Sequence, residues 1–201
     1  YITQYTGKAM KVVLENLTKK FPNRNKKIRE EVIAVDNFNL EIPDGKMIGL
    51  LGPSGCGKST TLNLLCGLLK PTEGKIYFGD NEVTDLPAEK RGVGLVFQNY
   101  ALFPNMTVLE NVEYALKLRK DKKDEARKTA LETLDMIGMS EHLDKKPRQL
   151  SGGQQQRVAI ARTLALKPDI ILLDEAISAL DVANREIMKR ELKDIQRKFN
   201  S

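Results

Sequence analysis

Hydrophobic residues recur along the chain with two different periods, and the change of period divides the chain into regions. In residues 10–16 and 31–42 apolar and polar positions alternate, as at Phe38, Leu40 and Ile42, which is typical of strands. Further strands are predicted from short apolar runs at residues 46–51, 74–79, 93–97 and 169–173. The turn signal Pro-Asp-Gly at residues 43–45 separates two of these segments.

In the middle of the chain apolar residues instead return every three or four positions, which predicts helices. Val108, Val112, Ala115 and Leu116 lie on one face of a helix over residues 107–118. Further helices are predicted to begin near Lys58 and to cover residues 124–137, 154–166 and 184–199. The pattern therefore predicts an α/β core that is interrupted by a helical block.

These regions suggest a domain organisation for the 201 residues. Residues 10–98 and 168–201 are assigned to the core, and residues 99–167 to the helical subdomain. Residues 1–9 are polar and precede Met10, so we expect them to be a disordered lead or a segment that is not native to the protein.

Composition narrows the class of protein. Apolar residues make up 41% of the chain, which is enough for a folded core. No apolar run approaches the length of about 20 residues that a transmembrane helix needs, and no signal peptide is recognisable. Two cysteines, Cys56 and Cys66, indicate a reducing compartment rather than a disulfide scaffold. The net charge of +6 arises from bases mixed with acids, as in residues 117–128, which favours a solvated helix face over a nucleic-acid surface.

Residues 52–59 (GPSGCGKS) match the pattern G-x-x-x-x-G-K-[ST], with a strand predicted before and a helix after. The glycines let backbone N–H groups wrap around phosphate oxygens at a positive helix end. The lysine can reach the β- and γ-phosphates, and Ser59 is placed to ligate Mg²⁺. The residues predicted to bind the phosphates are Gly52, Pro53, Ser54, Gly55, Cys56, Gly57, Lys58, Ser59 and Thr60.

A second candidate element is the apolar run at residues 170–173, which ends in Asp174 and Glu175. We expect this strand to lie beside the strand of the phosphate loop, with its carboxylates at the edge where α/β sheets bind ligands. Asp174 is then a candidate Mg²⁺ ligand, and Glu175 a candidate to polarise an attacking water.

A third element, LSGGQ at residues 150–154, opens the predicted helix that follows it. Ser151 is a good N-cap, and Gly152 and Gly153 expose N–H groups at a positive helix end. This is an anion site without a lysine, far along the chain from Lys58. We expect a second copy of the protein to supply the other half of the phosphate site.

With these residues the sequence resembles the ATP-binding cassette (ABC) ATPases, from about Met10 to its end. The LSGGQ signature is intact, and the spacings of Gln98 and Asp174 from Lys58 agree with the family. Residues 96–104 (VFQNYALFP), followed by Met-Thr-Val, are similar to the ATPase subunits of bacterial importers of the sugar and polyamine type.

The resemblance implies a P-loop NTPase (RecA-like) core with an N-terminal antiparallel β subdomain and an inserted helical subdomain. It implies ATP and Mg²⁺ as cofactors, and ATP hydrolysis in which Glu175, Lys58 and Gln98 take part. Metal ligands would be Ser59, Gln98 and Asp174, and the signature residues that bind nucleotide would be Ser151, Gly152, Gly153 and Gln154.

Two further positions gain roles from the resemblance alone. Asp181, in residues 178–181, matches a loop that reaches across the dimer in the family. Phe21 lies where the family has an aromatic residue that stacks on adenine, although a packed loop phenylalanine explains it equally well.

The resemblance also implies partners and a location. They are a second ATPase subunit, identical or a close paralogue, and transmembrane permease subunits. The family implies no nucleic-acid partner and no direct contact with the solute. It also implies a location at the cytoplasmic, inner face of the cell membrane.

The sequence departs from the family pattern in several places. Ala176 and Ile177 replace the usual Pro and Leu, and residues 22–31 are longer and more basic than in sugar importers. The family's switch histidine is absent, as are the final strands, so we expect a truncated cassette with impaired hydrolysis. The only histidine, His142, precedes the signature and is predicted to be a solvated surface residue.

A rival interpretation is an ABC-type ATPase that acts on nucleic acid or another non-transport partner. Such DNA-maintenance proteins carry a long coiled coil between the phosphate loop and the signature. The interval here is too short for one and has no sustained heptads. A P-loop kinase or GTPase would not need LSGGQ, and no guanine motif is present.

Overall fold

The computed structural model describes residues 2–4, 10–23, 31–44 and 46–174. The strands are β1 (Ile2–Gln4), β2 (Val12–Phe21), β3 (Val32–Ile42), β4 (Met47–Ile48), β5 (Glu73–Phe78), β6 (Asn81–Glu82), β7 (Val93–Val96) and β8 (Ile170–Leu173). The helices are α1 (Lys58–Leu65), α2 (Val108–Leu118), α3 (Lys123–Met136) and α4 (Gly152–Leu164). The helix predicted at residues 184–199 lies outside the described residues.

One sheet is antiparallel throughout, in the order β3-β2-β5-β6. Val12 lies opposite Ile42 on one side and Phe78 on the other, and all three side chains are buried. The alternation at the start of β2, where Val12 and Leu14 are buried and Val13 is only partly covered, directs one face of the strand into the core. The predicted alternation in residues 10–16 and 31–42 is thus confirmed, and β2 continues five residues further than predicted.

The second sheet has the order β4-β1-β8-β7. β7 and β8 are parallel, whereas β1 is antiparallel to both of its neighbours, β4 and β8. Ile2 is completely buried opposite Ile48 and Leu172.

Two sequence-based expectations fail here. Ile2–Gln4 is a strand and not a disordered lead, because it pairs on both sides and buries Ile2. For the same reason β8 does not lie beside β4, since β1 separates the two.

The helical region is held by its own helix caps and ion pairs. Thr107 caps α2 and Ser151 caps α4, each in a reciprocal capping box with the residue three positions later. The buried carboxylate of Glu113 on α2 accepts from Lys117 at 2.6 Å and from Arg127 on α3 at 3.2 Å. The pairing with Arg127 ties α2 to α3.

Apolar side chains form two separate clusters. One lies under both sheets and α1 and contains Ile2, Leu64 and Leu172; the other lies among α2, α3 and α4 and contains Leu116, Leu134 and Val158. The strands and α1 thus share one cluster of buried apolar side chains, and the helical region has another.

The buried Arg91 fastens the end of α1 to the loop before β7. Its guanidinium donates to the carbonyls of Leu64 (2.7 Å) and Leu65 (3.0 Å), and to those of Thr84 and Leu86. Burial lowers the pKa of Arg91. Two of these bonds go to carbonyls in the last turn of α1, where a helix runs out of its own N–H donors.

Within the ranges that the structure describes, no helix has the length and apolar character required to cross a membrane.

Candidate functional site

The predicted phosphate loop, residues 52–59, connects the region of β4 to α1. Gly57 is the N-cap of α1 with φ of 88°, in the left-handed region, and Lys58 is the first helical residue. A Cβ at Gly57 would lie 2.4 Å from the carbonyl oxygen of Ala34, so only glycine fits there. The helix begins where predicted, and its first N–H groups point into the loop.

The Lys58 ammonium lies inside the curve of this loop. Its Nζ donates to the carbonyl oxygens of Gly52 at 2.9 Å and Pro53 at 2.8 Å. The sulfur of the exposed Cys56 is 3.5 Å away. The charge is therefore held by the loop's own carbonyl groups at the start of the helix.

Ser59 and Asp174 meet at the mouth of the loop. The Ser59 hydroxyl donates to Oδ1 of Asp174 at 2.9 Å, although the two residues are 115 positions apart. Asp174 is itself held by its N–H, which donates to the carbonyl of Val96 at the end of β7. A hydroxyl and a carboxylate are hard oxygen donors, so the pair fits the ligand preference of Mg²⁺.

A cleft of about 280 Å³ opens beside these groups. Its lining residues are Ala34, Ser54, Gly55, Gly57, Lys58, Ser59, Thr60 and Gln98. The structure thus brings Gln98 to the same cleft as the phosphate loop. Ala34 was missed by the sequence analysis, because a small apolar residue in a strand carries no signal of a site.

Phe21 lies at the end of β2 opposite Val32, and is not among the described residues that line the cleft. Its ring is half-buried, and the Lys19 ammonium lies 5.1 Å from the ring centre. Its strand partner Val32 lies two positions before Ala34, which does line the cleft. Glu175 and Asp181 fall outside the described residues.

The signature residues lie at the start of α4. The Ser151 hydroxyl accepts from the N–H of Gln154 at 3.3 Å, and the Gln154 side chain accepts from the N–H of Ser151 at 2.9 Å. The predicted N-cap Ser151 is confirmed. The helix begins at Gly152, two residues earlier than predicted. A Cβ at Gly152 or Gly153 would meet nothing within 4 Å, so both glycines face open space.

None of the signature residues lines the cleft described above. Within one copy of the chain, the two glycine-rich elements therefore form two separate surfaces.

His142 contacts the signature, which corrects the expectation of a solvated residue. Its Nε2 lies 3.0 Å from Nε2 of Gln154. Since an amide nitrogen only donates, the ring nitrogen accepts this hydrogen bond. The other ring nitrogen, Nδ1, is buried. Only the tertiary structure reveals this contact, because the two residues belong to different elements.

Comparison with known proteins decides the family. A sequence profile described as ABC transporter matches residues 35–178. The chain belongs to the ATP-binding domain family of ABC transporters. The match covers the phosphate loop, Gln98, the signature and Asp174.

Individual members of the ABC family are also similar along most of this chain. The spermidine/putrescine import ATP-binding protein PotA of Mannheimia succiniciproducens is 51% identical over 174 residues, which are 87% of this chain and 47% of that protein. The Fe(3+) ions import ATP-binding protein FbpC of Brucella abortus is 49% identical over 188 residues, which are 94% of this chain and 51% of that protein. The chain spans about half the length of these curated relatives.

A solved ABC structure confirms the fold class. It is the dimeric structure of a post-hydrolysis state of an ATP-binding cassette bound to ADP and Pi. It matches with a TM-score of 0.78 and 42% identity, over 93% of this chain and 83% of the other.

Proposed function

We propose that this chain binds and hydrolyses ATP as the ATPase subunit of an ABC importer. The observation that carries the proposal is the hydrogen bond between Ser59 and Asp174 at the mouth of the cleft that Lys58 lines. It brings a hydroxyl at the start of α1 against a carboxylate at the end of β8, next to the residue that carries the Lys58 ammonium, and these are the groups that Mg·ATP requires. The import function of the relatives, given in their names, supports transport over a nucleic-acid role.

The residues of one copy would bind the triphosphate. Lys58 exchanges its hydrogen bonds to the Gly52 and Pro53 carbonyls for phosphate oxygens, and the first N–H groups of α1 add further donors. Mg²⁺, held by Ser59 and Asp174 with Gln98 nearby, would neutralise charge on the phosphates. Glu175, the residue after Asp174, would orient and deprotonate the attacking water.

A second copy would complete the site. The outward-facing Gly152 and Gly153 leave the N-terminus of α4 open to a γ-phosphate bound by the partner. Ser151 and Gln154 would add polar contacts there, and Asp181 would reach across the dimer. The dimeric state of the ADP-bound structural relative supports the formation of a dimer.

ATP would favour the closed dimer, and a permease coupled to that equilibrium would change its facing. The subunit would therefore be peripheral at the cytoplasmic face of the membrane, without contact to the solute. Relatives named for polyamines and for ferric ions are about equally identical to this chain, which fits a solute chosen by other subunits.

The test is to replace Lys58 by Ala and to measure Mg·ATP affinity and hydrolysis. Loss of the ammonium should lower binding or turnover at least about tenfold, equivalent to about 1.4 kcal/mol. The control is Lys70→Ala, because Lys70 is exposed and paired with Asp85 at 3.3 Å, outside the cleft. Equal losses in both variants, or none in Lys58→Ala, would contradict the proposal.

A further inference from the structure

Arg162, in the last turn of α4, holds the chain segment that follows Gln98. Its Nη1 donates to the carbonyl oxygen of Ala101 at 2.8 Å, and its Nη2 to that of Tyr100 at 3.0 Å. The two bonds join the helix that starts at the signature to a segment about sixty positions earlier. The planar guanidinium group can donate to both carbonyl oxygens at once. A lysine ammonium is poorly suited to this two-pronged geometry.

The segment that accepts these bonds has an unfavourable backbone. Tyr100 and Ala101 have φ of 61° and 45°, in the left-handed region that residues with a Cβ rarely adopt. Two successive residues of this kind persist only where the surroundings hold them. The Arg162 bonds act on the carbonyl groups of the same two residues.

A third contact links the same side chain to Phe103. The guanidinium carbon of Arg162 lies 5.5 Å from the centre of that ring, which packs edge-on against Tyr114 with ring centres 4.8 Å apart. Such a position over an aromatic face is attractive for a cation. Asn111 on α2 holds the backbone of Phe103 from the other side, by hydrogen bonds to its N–H and carbonyl.

The positive charge of Arg162 is partly buried, which is unfavourable for the charged form. Burial lowers the pKa of its guanidinium. In the part of the chain that the structure describes, no carboxylate forms an ion pair with it. The charge is thus compensated by carbonyl dipoles and a ring, all of them in residues 100–103.

We propose that Arg162 is a positioning residue for Gln98, acting by clamping the left-handed turn at Tyr100 and Ala101. Gln98 lines the phosphate cleft two residues before that turn, so the direction of the chain at Tyr100 governs where its side chain lies. Arg162 is on α4, the helix that begins at the signature. A shift of α4 would therefore move the turn at Tyr100 and Ala101, and with it Gln98 in the cleft. The inference rests on the proposed function, since it gives Gln98 a part in hydrolysis.

The test compares Arg162→Lys with the parent chain by hydrogen–deuterium exchange and by ATP kinetics. Exchange of the amides of residues 98–106 should rise, while that of α1 stays unchanged. Affinity for Mg·ATP should stay within about twofold because the phosphate loop is intact, whereas turnover should fall at least about tenfold. Adding Gln98→Ala to Arg162→Lys should cost little beyond Gln98→Ala alone, since both remove the same effect.

The matched control is Arg119→Lys. Arg119 also donates to a backbone carbonyl of the helical region, that of Leu166 at 3.0 Å, but its other side-chain hydrogen bonds go to Asp121 and not to residues 98–103. It should change neither exchange at 98–106 nor turnover. Unchanged exchange in Arg162→Lys, or losses that add fully to those of Gln98→Ala, would overturn the clamp. A parent chain that neither binds nor turns over Mg·ATP would overturn the proposed function instead, and the exchange result would still decide whether the clamp exists.

Discussion

Gly55 and Gly57 have nearly the same left-handed backbone, with φ of 81° and 88°, but different surroundings. A Cβ at Gly55 would meet nothing within 4 Å, whereas one at Gly57 would collide with the carbonyl oxygen of Ala34. The two positions therefore separate the cost of backbone strain from the cost of a steric clash.

We expect Gly55→Ala to lower the free energy of unfolding by about 1–2 kcal/mol, which is the cost of the left-handed conformation. Gly57→Ala should lose about 1–3 kcal/mol more, because β3 or the loop must shift. Urea unfolding of the two variants measures both values. Equal losses would mean that the contact with Ala34 has no energetic weight.

Some residues of the site could be predicted from the sequence, and others could not. Ser59 and Asp174 could be chosen from motifs and Gln98 from the family resemblance, and the structure puts Ser59 against Asp174 and Gln98 in the cleft. The contact of His142 with Gln154 could not be foreseen, because nothing in the local sequence links a short 3₁₀ turn to the side chain of a later helix.

At the scale of elements, α2 and α4 begin with full capping boxes, while α3 does not. The Thr107 hydroxyl accepts from the N–H of Glu110 at 3.2 Å, and the Glu110 carboxylate accepts from the N–H of Thr107 at 2.7 Å. At the start of α3, Lys122 makes no side-chain cap hydrogen bond.

Replacing Thr107 by Ala should lower the free energy of unfolding by about 1 kcal/mol, because an N–H of the first turn loses its acceptor. Lys122→Ala, at the corresponding position of α3, should change it by less than about 0.5 kcal/mol. Denaturant titrations followed by circular dichroism give both numbers. A loss at Lys122 as large as that at Thr107 would refute the importance of the capping hydrogen bond.

Elements with local signals were predicted well. The helices after Gly57, Thr107 and Ser151 were foreseen because their apolar residues recur at helical spacing, and the last also because Ser151 is a good N-cap. β1 was not, since three residues of ordinary polarity become a strand only by pairing with Ile48 and Leu172. Its insertion between β4 and β8 is a tertiary effect that no local pattern encodes.

At the scale of the whole molecule, the phosphate cleft and the signature are separate surfaces of one chain, as described above. In a dimer in which the cleft of each copy faces the signature of the other copy, the two combined sites are equivalent. Such a dimer is a closed assembly. Its stability should depend on bound ATP, because the γ-phosphate would bridge the two copies.

Glu175→Gln should therefore bind Mg·ATP without hydrolysing it, and a dimer should accumulate that size-exclusion chromatography with light scattering detects. Adding Gly153→Asp should abolish the dimer, because a carboxylate would face the phosphate of the partner. A Cβ at this position would meet nothing within 4 Å in its own copy, so the fold should be preserved. A dimer that forms without ATP, or survives Gly153→Asp, would contradict this arrangement.

The pairing of Ser59 with Asp174 has a consequence for the order of events during synthesis. The two residues are 115 positions apart, so at translation rates of 5–20 residues per second Ser59 is made about 6 to 23 seconds before its partner. All residues of the antiparallel sheet and of α2, α3 and α4 are synthesised before Asp174. The nascent chain therefore passes through a stage in which the glycine-rich turn exists without its carboxylate, and the two halves of the site can meet only when translation has passed β8.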